Sequence, residues 1–209
     1  LIHRQVLEMA VSYAGSCTSE GALYVAGGEN SRGPVSTVMK ISWKSDSLFT
    51  EPLPSLPVAL TNGSLVSASG KLYFAGGENR QLVSDKIYEY DLSGAGEWKE
   101  AYRLPYPVTN AVVVSDGTNK IYVAGGRKRN ENGISTFYDQ LLEIDLVSGA
   151  IRSITTLPEP SAAGTGVWDA AGNILLFGGD TGETFHRVEE LVAEIAQTRD
   201  PVKKKELND

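Results

Sequence analysis

The chain has 209 residues, 41% of them hydrophobic and 22% charged, a balance ordinary for a globular protein. Its formal net charge of -7 gives no general attraction to nucleic acid or to an anionic membrane surface. No apolar run approaches the roughly 18 residues needed to span a bilayer. Cys17 stands alone, which excludes an intrachain disulfide, and one cysteine with the distant pair His3 and His186 makes no zinc set. Neither a metal nor a cofactor is expected. The chain opens at Leu1 rather than Met, so the lack of a leader is uninformative about export.

A short apolar segment ending in two glycines recurs along the chain: "ALYVAGGEN" from 22, "KLYFAGGEN" from 71, "KIYVAGGRK" from 120 and "NILLFGGDT" from 173. The leading glycines, Gly27, Gly76, Gly125 and Gly178, are spaced by 49, 49 and 53 residues. Phe49 and Trp98 each fall 21 positions after a second glycine, and Leu-Pro pairs close three units at Leu56-Pro57, Leu104-Pro105 and Leu157-Pro158. The second unit predicts strands at "GSLVSA", "KLYFA", "KIYEYDL" and "EWKEA", with turns at Ser69-Gly70 and "SGAG". The third predicts "AVVVSD", "KIYVA", "LLEIDL" and "AIRSIT", with turns at Asp116-Gly117 and Ser148-Gly149. The fourth begins in the same way and then departs. In "FHRVEELVAEIAQTRD" the positions Val188, Leu191, Val192 and Ile195 form a helical stripe. Asp200-Pro201 would open a second helix, with Lys203 to Lys205 on its solvated face.

Four short antiparallel strands in each unit of about 50 residues resemble kelch repeats, which form the blades of a β-propeller. The fold expected is therefore all-β, a kelch-type propeller of about three and a half blades out of six. Blade units fall at approximately 10–58, 59–107, 108–160 and 161–209, with a helical insertion over 184–209. Glycine pairs suit a chain that must turn sharply beside neighbouring backbone. A dinucleotide site is excluded, since no G-x-G-x-x-G and no βαβ pattern accompanies these strands. An open arc would leave apolar blade faces bare, so the chain is expected to be a fragment that can self-associate through them.

The long loop in "GGRKRNENGISTFYDQLLEIDLVSG", the interrupted unit after Gly179 and the shorter "GGENSRGPVSTVMKI" together resemble the N-acetylneuraminate epimerase (sialic acid mutarotase) family, in its cyclically permuted branch. The resemblance implies a sialic-acid ligand, interconversion of its anomers, and a periplasmic or secreted location. Ring opening needs a base at the anomeric hydroxyl and a proton delivered to the ring oxygen, and a guanidinium suits the sugar's carboxylate. The family's Glu and Arg for this chemistry belong to the blade after the helical insertion, which would lie beyond Asp209. No catalytic residue is therefore transferred, and the isolated chain is expected to be inactive.

Strands alternate in direction, so the loops after each second strand share a face with the segments leading into each first strand. That face collects Glu29, Asn30, Arg32, Glu78, Asn79, Arg80, Arg127 and Asp180 with Asn62 and Asn110, the expected substrate-binding set. Each has a plainer alternative. Glu29 and Glu78 can cap turns, Asn62 and Asn110 can satisfy strand backbone, and Arg127 with Lys128 and Arg129 can form a solvated basic tip. His186 reads as structural. No G-x-S-x-G elbow is present, which argues against a hydrolase, and no tyrosine–cysteine pair with two histidines supports a copper oxidase. The rival to the carbohydrate enzyme is a non-catalytic kelch module that binds a protein or glycan through the same loops.

Overall fold

Short strands rich in Tyr, Val, Ile and Leu, punctuated by glycine turns, pair with their sequence neighbours and little else. A computed structural model describes residues 10–198, except 45 and 95. The first sheet takes β1 (Gly15–Ser19), β2 (Ala22–Ala26), then a small hairpin of β3 (Glu29–Asn30) and β4 (Gly33–Pro34), then β5 (Val38–Lys44) and β6 (Ser47–Leu53). The second takes β7 (Ser64–Ala68), β8 (Lys71–Ala75), β9 (Lys86–Asp91) and β10 (Lys99–Arg103). The third has β11 (Val112–Ser115) and β12 (Lys120–Ala124), a hairpin of β13 (Arg127–Arg129) and β14 (Ser135–Phe137), then β15 (Gln140–Asp145) and β16 (Ile151–Thr156). The fourth is a single pair, β17 (Thr165–Trp168) with β18 (Ile174–Phe177), followed by helix α1 (Glu183–Gln197).

In each of the three complete sheets the strands stand in chain order, joined antiparallel. The first strands pack side by side from sheet to sheet, β1 on β7, β7 on β11 and β11 on β17. These are blades fanned about one axis: a partial kelch-type propeller with a helical insertion in its last blade. Expected strands at 71–75 and 120–124 form as β8 and β12, while the one expected at 97–101 begins two residues later, as β10. The two hairpins were not expected. They occupy the loops that follow the glycine pairs.

Period-two alternation splits each second strand between two neighbours. Leu72 and Phe74 of β8 face the first blade and cluster with its Tyr24, Ala26 and Leu56 and with Leu60 and Trp98 of their own blade. Tyr73 and Ala75 face the third blade and meet Val108, Ile121, Val123 and Ile144. Tyr122 of the third blade stacks on Trp168 of the fourth at 5.1 Å. The spacing that equated Phe49 with Trp98 does not hold in space. Trp98 is buried, stacks on Tyr90 and donates from Nε1 to the Pro54 carbonyl at 2.9 Å, whereas Phe49 lies exposed on β6.

The glycine pairs stitch blades together. Gly28 donates its N–H to the Leu60 carbonyl at 2.8 Å, Gly77 to Val108 at 3.0 Å and Gly126 to Ser161 at 2.7 Å, each acceptor lying just ahead of the next blade. A Cβ on Gly76, which sits at φ 66, would run into the Val108 carbonyl oxygen. Both the left-handed backbone and the close approach exclude a side chain there. Gly178 has the same φ, 65, but no neighbouring atom within reach among the described residues.

The apolar stripe of α1 is not the side that packs. Val188, Leu191 and Val192 of the apolar stripe are all exposed. The side of α1 that docks is instead Phe185, His186 and Glu189, against β14. The second helix expected from Asp200-Pro201, with Lys203 to Lys205, lies outside the described residues. No described helix is long and apolar enough to cross a membrane.

Candidate functional site

Backbone geometry builds the rim before any side chain is placed. The turn into each first strand carries a residue in the left-handed region: Tyr13 (φ 55), Asn62 (φ 56), Asn110 (φ 56) and Ala163 (φ 60). These turns are tied into an arc, with Asn62 N–H donating to the Tyr13 carbonyl at 2.9 Å, Asn110 to Asn62 at 2.9 Å and Ala163 to Asn110 at 2.8 Å. Asparagine tolerates this conformation better than most residues, which gives Asn62 and Asn110 a backbone reason to be there. Antiparallel bridges then join Ser12 to Glu29, Thr61 to Glu78, Thr109 to Arg127 and Ala162 to Asp180. The residue after each glycine pair is thereby set beside the turn of its own blade. Below the rim the first strands line an axial cavity of about 210 Å³ flanked by Gly15, Ser64, Ala111 and Gly164. A wider cavity of about 440 Å³ follows, bordered by Cys17, Ser67, Asp116 and Trp168. Burial pushes the Cys17 thiol up to about 12, so it is a neutral hydrogen-bonding group and not a nucleophile at neutral pH.

Of the expected residues, Asn62, Glu78, Asn110 and Arg127 are brought together. Glu78 and Arg127 hold the same repeat position in adjacent blades and form an ion pair, Arg127 Nη2 donating to Glu78 Oε1 at 2.7 Å. Arg127 Nε donates to Asn110 Oδ1 at 3.1 Å, its Nη1 to Ser135 Oγ at 3.0 Å, and Asn62 Nδ2 donates to Glu78 Oε1 at 3.5 Å. The Phe185 ring covers the guanidinium, 5.0 Å from its centroid to Cζ. Glu78 is 7% exposed and Arg127 9%. The expected basic tip is thus corrected: Arg127 points inward because a carboxylate waits at its repeat partner, leaving Lys128 and Arg129 outside. Arg129 Nη2 donates to the Asn79 carbonyl at 3.1 Å.

The network runs on into the helix. Ser135 donates its N–H to Glu189 Oε2 at 2.9 Å and its hydroxyl to Glu189 Oε1 at 2.6 Å. His186 Nε2 lies 2.8 Å from the Ser135 carbonyl. One chain of contacts, Asn62–Glu78–Arg127–Ser135–Glu189, therefore links two blades and the insertion. Ser135, Phe185 and Glu189 were not anticipated. Ser135 lies in a hairpin that the repeat period does not mark, and Glu189 lies on the helix face that the apolar stripe deflected attention from.

The remaining expected residues stand apart from this network. Asn79 forms an Asx turn, Oδ1 accepting from Gln81 and Leu82 N–H at 2.9 and 3.1 Å, while Nδ2 donates to the Ala59 carbonyl at 3.1 Å. Asn30 does the same for Arg32 N–H at 2.8 Å. Asp180 Oδ1 accepts from Gly182 N–H at 2.7 Å and shapes the entrance to α1. Arg32 and Arg80 are exposed at loop tips, and Glu29 is half-buried on the first blade. No group of three or more metal-ligating side chains is found among the described residues.

No family model and no curated protein matches the chain. Among solved structures it is similar to that of YjhT, with a TM-score of 0.64 and 21% identity over 81% of this chain. The chain spans 59% of the length of YjhT, and the likeness places both on a kelch-type propeller scaffold.

Proposed function

We propose that the rim is the ligand-holding part of a sialic-acid mutarotase-like site, of the kind the cyclically permuted branch would carry in an exported protein. The reading is supported by the scaffold shared with YjhT, a sialic acid mutarotase. The observation that carries it is the buried Asn62–Glu78–Arg127–Asn110 network, whose two asparagines immediately precede Gly63 and Ala111 in the lining of the axial cavity. Charged side chains withdrawn from water cost several kcal/mol each, roughly, unless paired. Here the cost is met at a rim, where a preorganised polar surface can receive sugar hydroxyls. In such a site Glu29, Asn30, Arg32, Asn79, Arg80 and Asp180 would surround the ligand from the loop tips. Anomer interconversion would need a base at the anomeric hydroxyl and an acid at the ring oxygen.

One observation favours the rival, a non-catalytic glycan- or protein-binding module. Arg127, the buried guanidinium of the rim, spends its donors on Asn110, Ser135 and Glu78 and not on an open space. The two readings separate by NMR. With the protein encoded by the whole gene, the enzymatic reading expects exchange between the α- and β-anomer signals of N-acetylneuraminate to run faster than in buffer. Binding without faster exchange supports the module as a glycan binder, and the absence of both effects removes the sialic-acid reading and leaves a protein-binding module.

A further inference from the structure

The two oxygens of Glu78 are used unequally. Oε1 accepts from Arg127 Nη2 and Asn62 Nδ2, while Oε2 accepts no hydrogen bond among the described residues. Unequal use alone is not a mark of function, since Glu89 of the same blade takes both Lys71 and Lys99 on Oε1, whereas Glu143 of the third blade, buried to the same degree, engages both oxygens. Its Oε1 takes both Nε and Nη2 of Arg152 at 3.0 and 2.6 Å, and its Oε2 takes Lys120 Nζ at 3.0 Å. Leaving an oxygen without a donor in a site largely closed to water is costly. The side chain of Glu78 keeps 10% of its surface open, at the rim.

A second polar atom is unmet at the same place. Thr61 stands directly opposite Glu78 in an antiparallel bridge, so their side chains share a face. Thr61 Oγ1 is buried with no hydrogen-bond partner among the described residues. The equivalent Thr109 of the next blade donates to the Asn62 carbonyl at 3.3 Å. The shortfall therefore belongs to blade two and not to the repeat.

We propose that Glu78 is the ligand-facing carboxylate of the rim, its Oε2 accepting a hydrogen bond from a ligand hydroxyl while Arg127 and Asn62 act as positioning residues on Oε1. The ligand class, a polyhydroxylated pyranose, rests on the carbohydrate reading above. An acidic sugar would present its hydroxyls here and turn its own carboxylate away, because like charges repel at this range.

Calorimetric titration of the whole chain with N-acetylneuraminate and with neutral N-acetylglucosamine tests this. Glu78→Gln keeps the shape and an acceptor for Arg127, and is expected to weaken binding about 10- to 100-fold, the worth of a hydrogen bond to a charged group. Glu89→Gln removes an equally buried, ion-paired carboxylate of the same blade, away from the rim. It is expected to lower the unfolding midpoint and leave affinity unchanged. Arg127→Lys, which keeps a cation near Oε1, should bind between wild type and Arg127→Met, an ordering that a merely structural role would not give. Should circular dichroism show Glu78→Gln unfolded, Glu78→Asp replaces it, with weakened binding again expected. Unchanged affinity for N-acetylneuraminate in the Glu78 variant overturns the assignment and leaves the sialic-acid reading standing. Binding of the neutral sugar alone, lost in Glu78→Gln, supports the assignment and overturns that reading. No binding of either sugar by the wild type overturns both.

Discussion

Leu23, Leu72 and Ile121 occupy one repeat position on successive second strands, yet their environments differ completely. Leu72 and Ile121 are 0% exposed, each pressed on the blade before it, whereas Leu23 of the first blade is 38% exposed. The pattern inverts one residue along. Tyr24, Tyr73 and Tyr122 face forward onto a following blade and are buried, while the fourth-blade counterpart Leu175 is 42% exposed. Trp43, Leu48, Val167 and Phe177 extend the same two bare end faces. Residue type sets which side chains can form a core here. The presence of a neighbouring blade decides which of them do.

The largest effect expected from this comparison is at the covered interface. Leu72→Ala should cost about 2–5 kcal/mol, the range for emptying a packed core site. Leu23→Ala, the same change at the same repeat position, should cost less than about 1 kcal/mol because little burial is lost. Urea unfolding of both variants measures the difference directly. Equal losses would mean that the blades do not depend on one another for burial.

A smaller effect is expected from pH. At the position where β9 and β15 carry the buried Glu89 and Glu143, β5 carries Lys40, opposite Tyr24 as they are opposite Tyr73 and Tyr122. Burial is the largest influence on Glu143 and pushes its pKa up. The hydrogen bonds from Lys120 and Arg152 together outweigh it and hold the carboxyl below its ordinary 4.5. A depressed folded-state pKa adds stability that is present above the unfolded value and is lost as pH falls through the folded one. The unfolding midpoint should therefore drop as pH is lowered below about 4.5. Glu143→Gln should flatten part of that fall, and Lys40→Met on the first blade should leave it unchanged. Other carboxylates held low keep the remainder, among them Asp116, where burial pushes the pKa up but hydrogen bonds from Thr118 and Lys120 outweigh it, and Asp145, held by hydrogen bonds from Ser148.

Much of this was legible in the sequence. The glycine pairs, the "LYV/LYF/IYV" strands and the Leu-Pro closures gave the blade period. The convergence of Asn62, Glu78, Asn110 and Arg127 on one face followed from strand direction alone. Even the ion pair had a signal, since residues 78 and 127 share a repeat position with opposite charge. What period cannot show is geometry off the beat. The β13–β14 hairpin is longer than the β3–β4 hairpin at the same place in the first blade, so Ser135 had no counterpart to be compared with. The helical stripe of Val188, Leu191 and Val192 was correctly periodic, but amphipathicity says only that one face differs from the other. Docking followed Glu189 and Phe185, whose partners are specific atoms in another blade. Trp98 and Phe49 show the converse, an equal spacing from the glycines that leads to unequal places.

The account depends on adjacent blades meeting at the rim through matched repeat positions, and a double-mutant cycle between Glu78 and Arg127 tests that most directly. With Glu78→Gln and Arg127→Met, measured singly and together by urea unfolding, the predicted interaction energy is about 1–3 kcal/mol, as for residues in one buried ionic network. The same cycle between Glu29 and Arg127, two blades apart, should return no more than about 0.5 kcal/mol. A Glu78–Arg127 coupling as small as that of the distant pair would contradict the blade arrangement and the rim built on it.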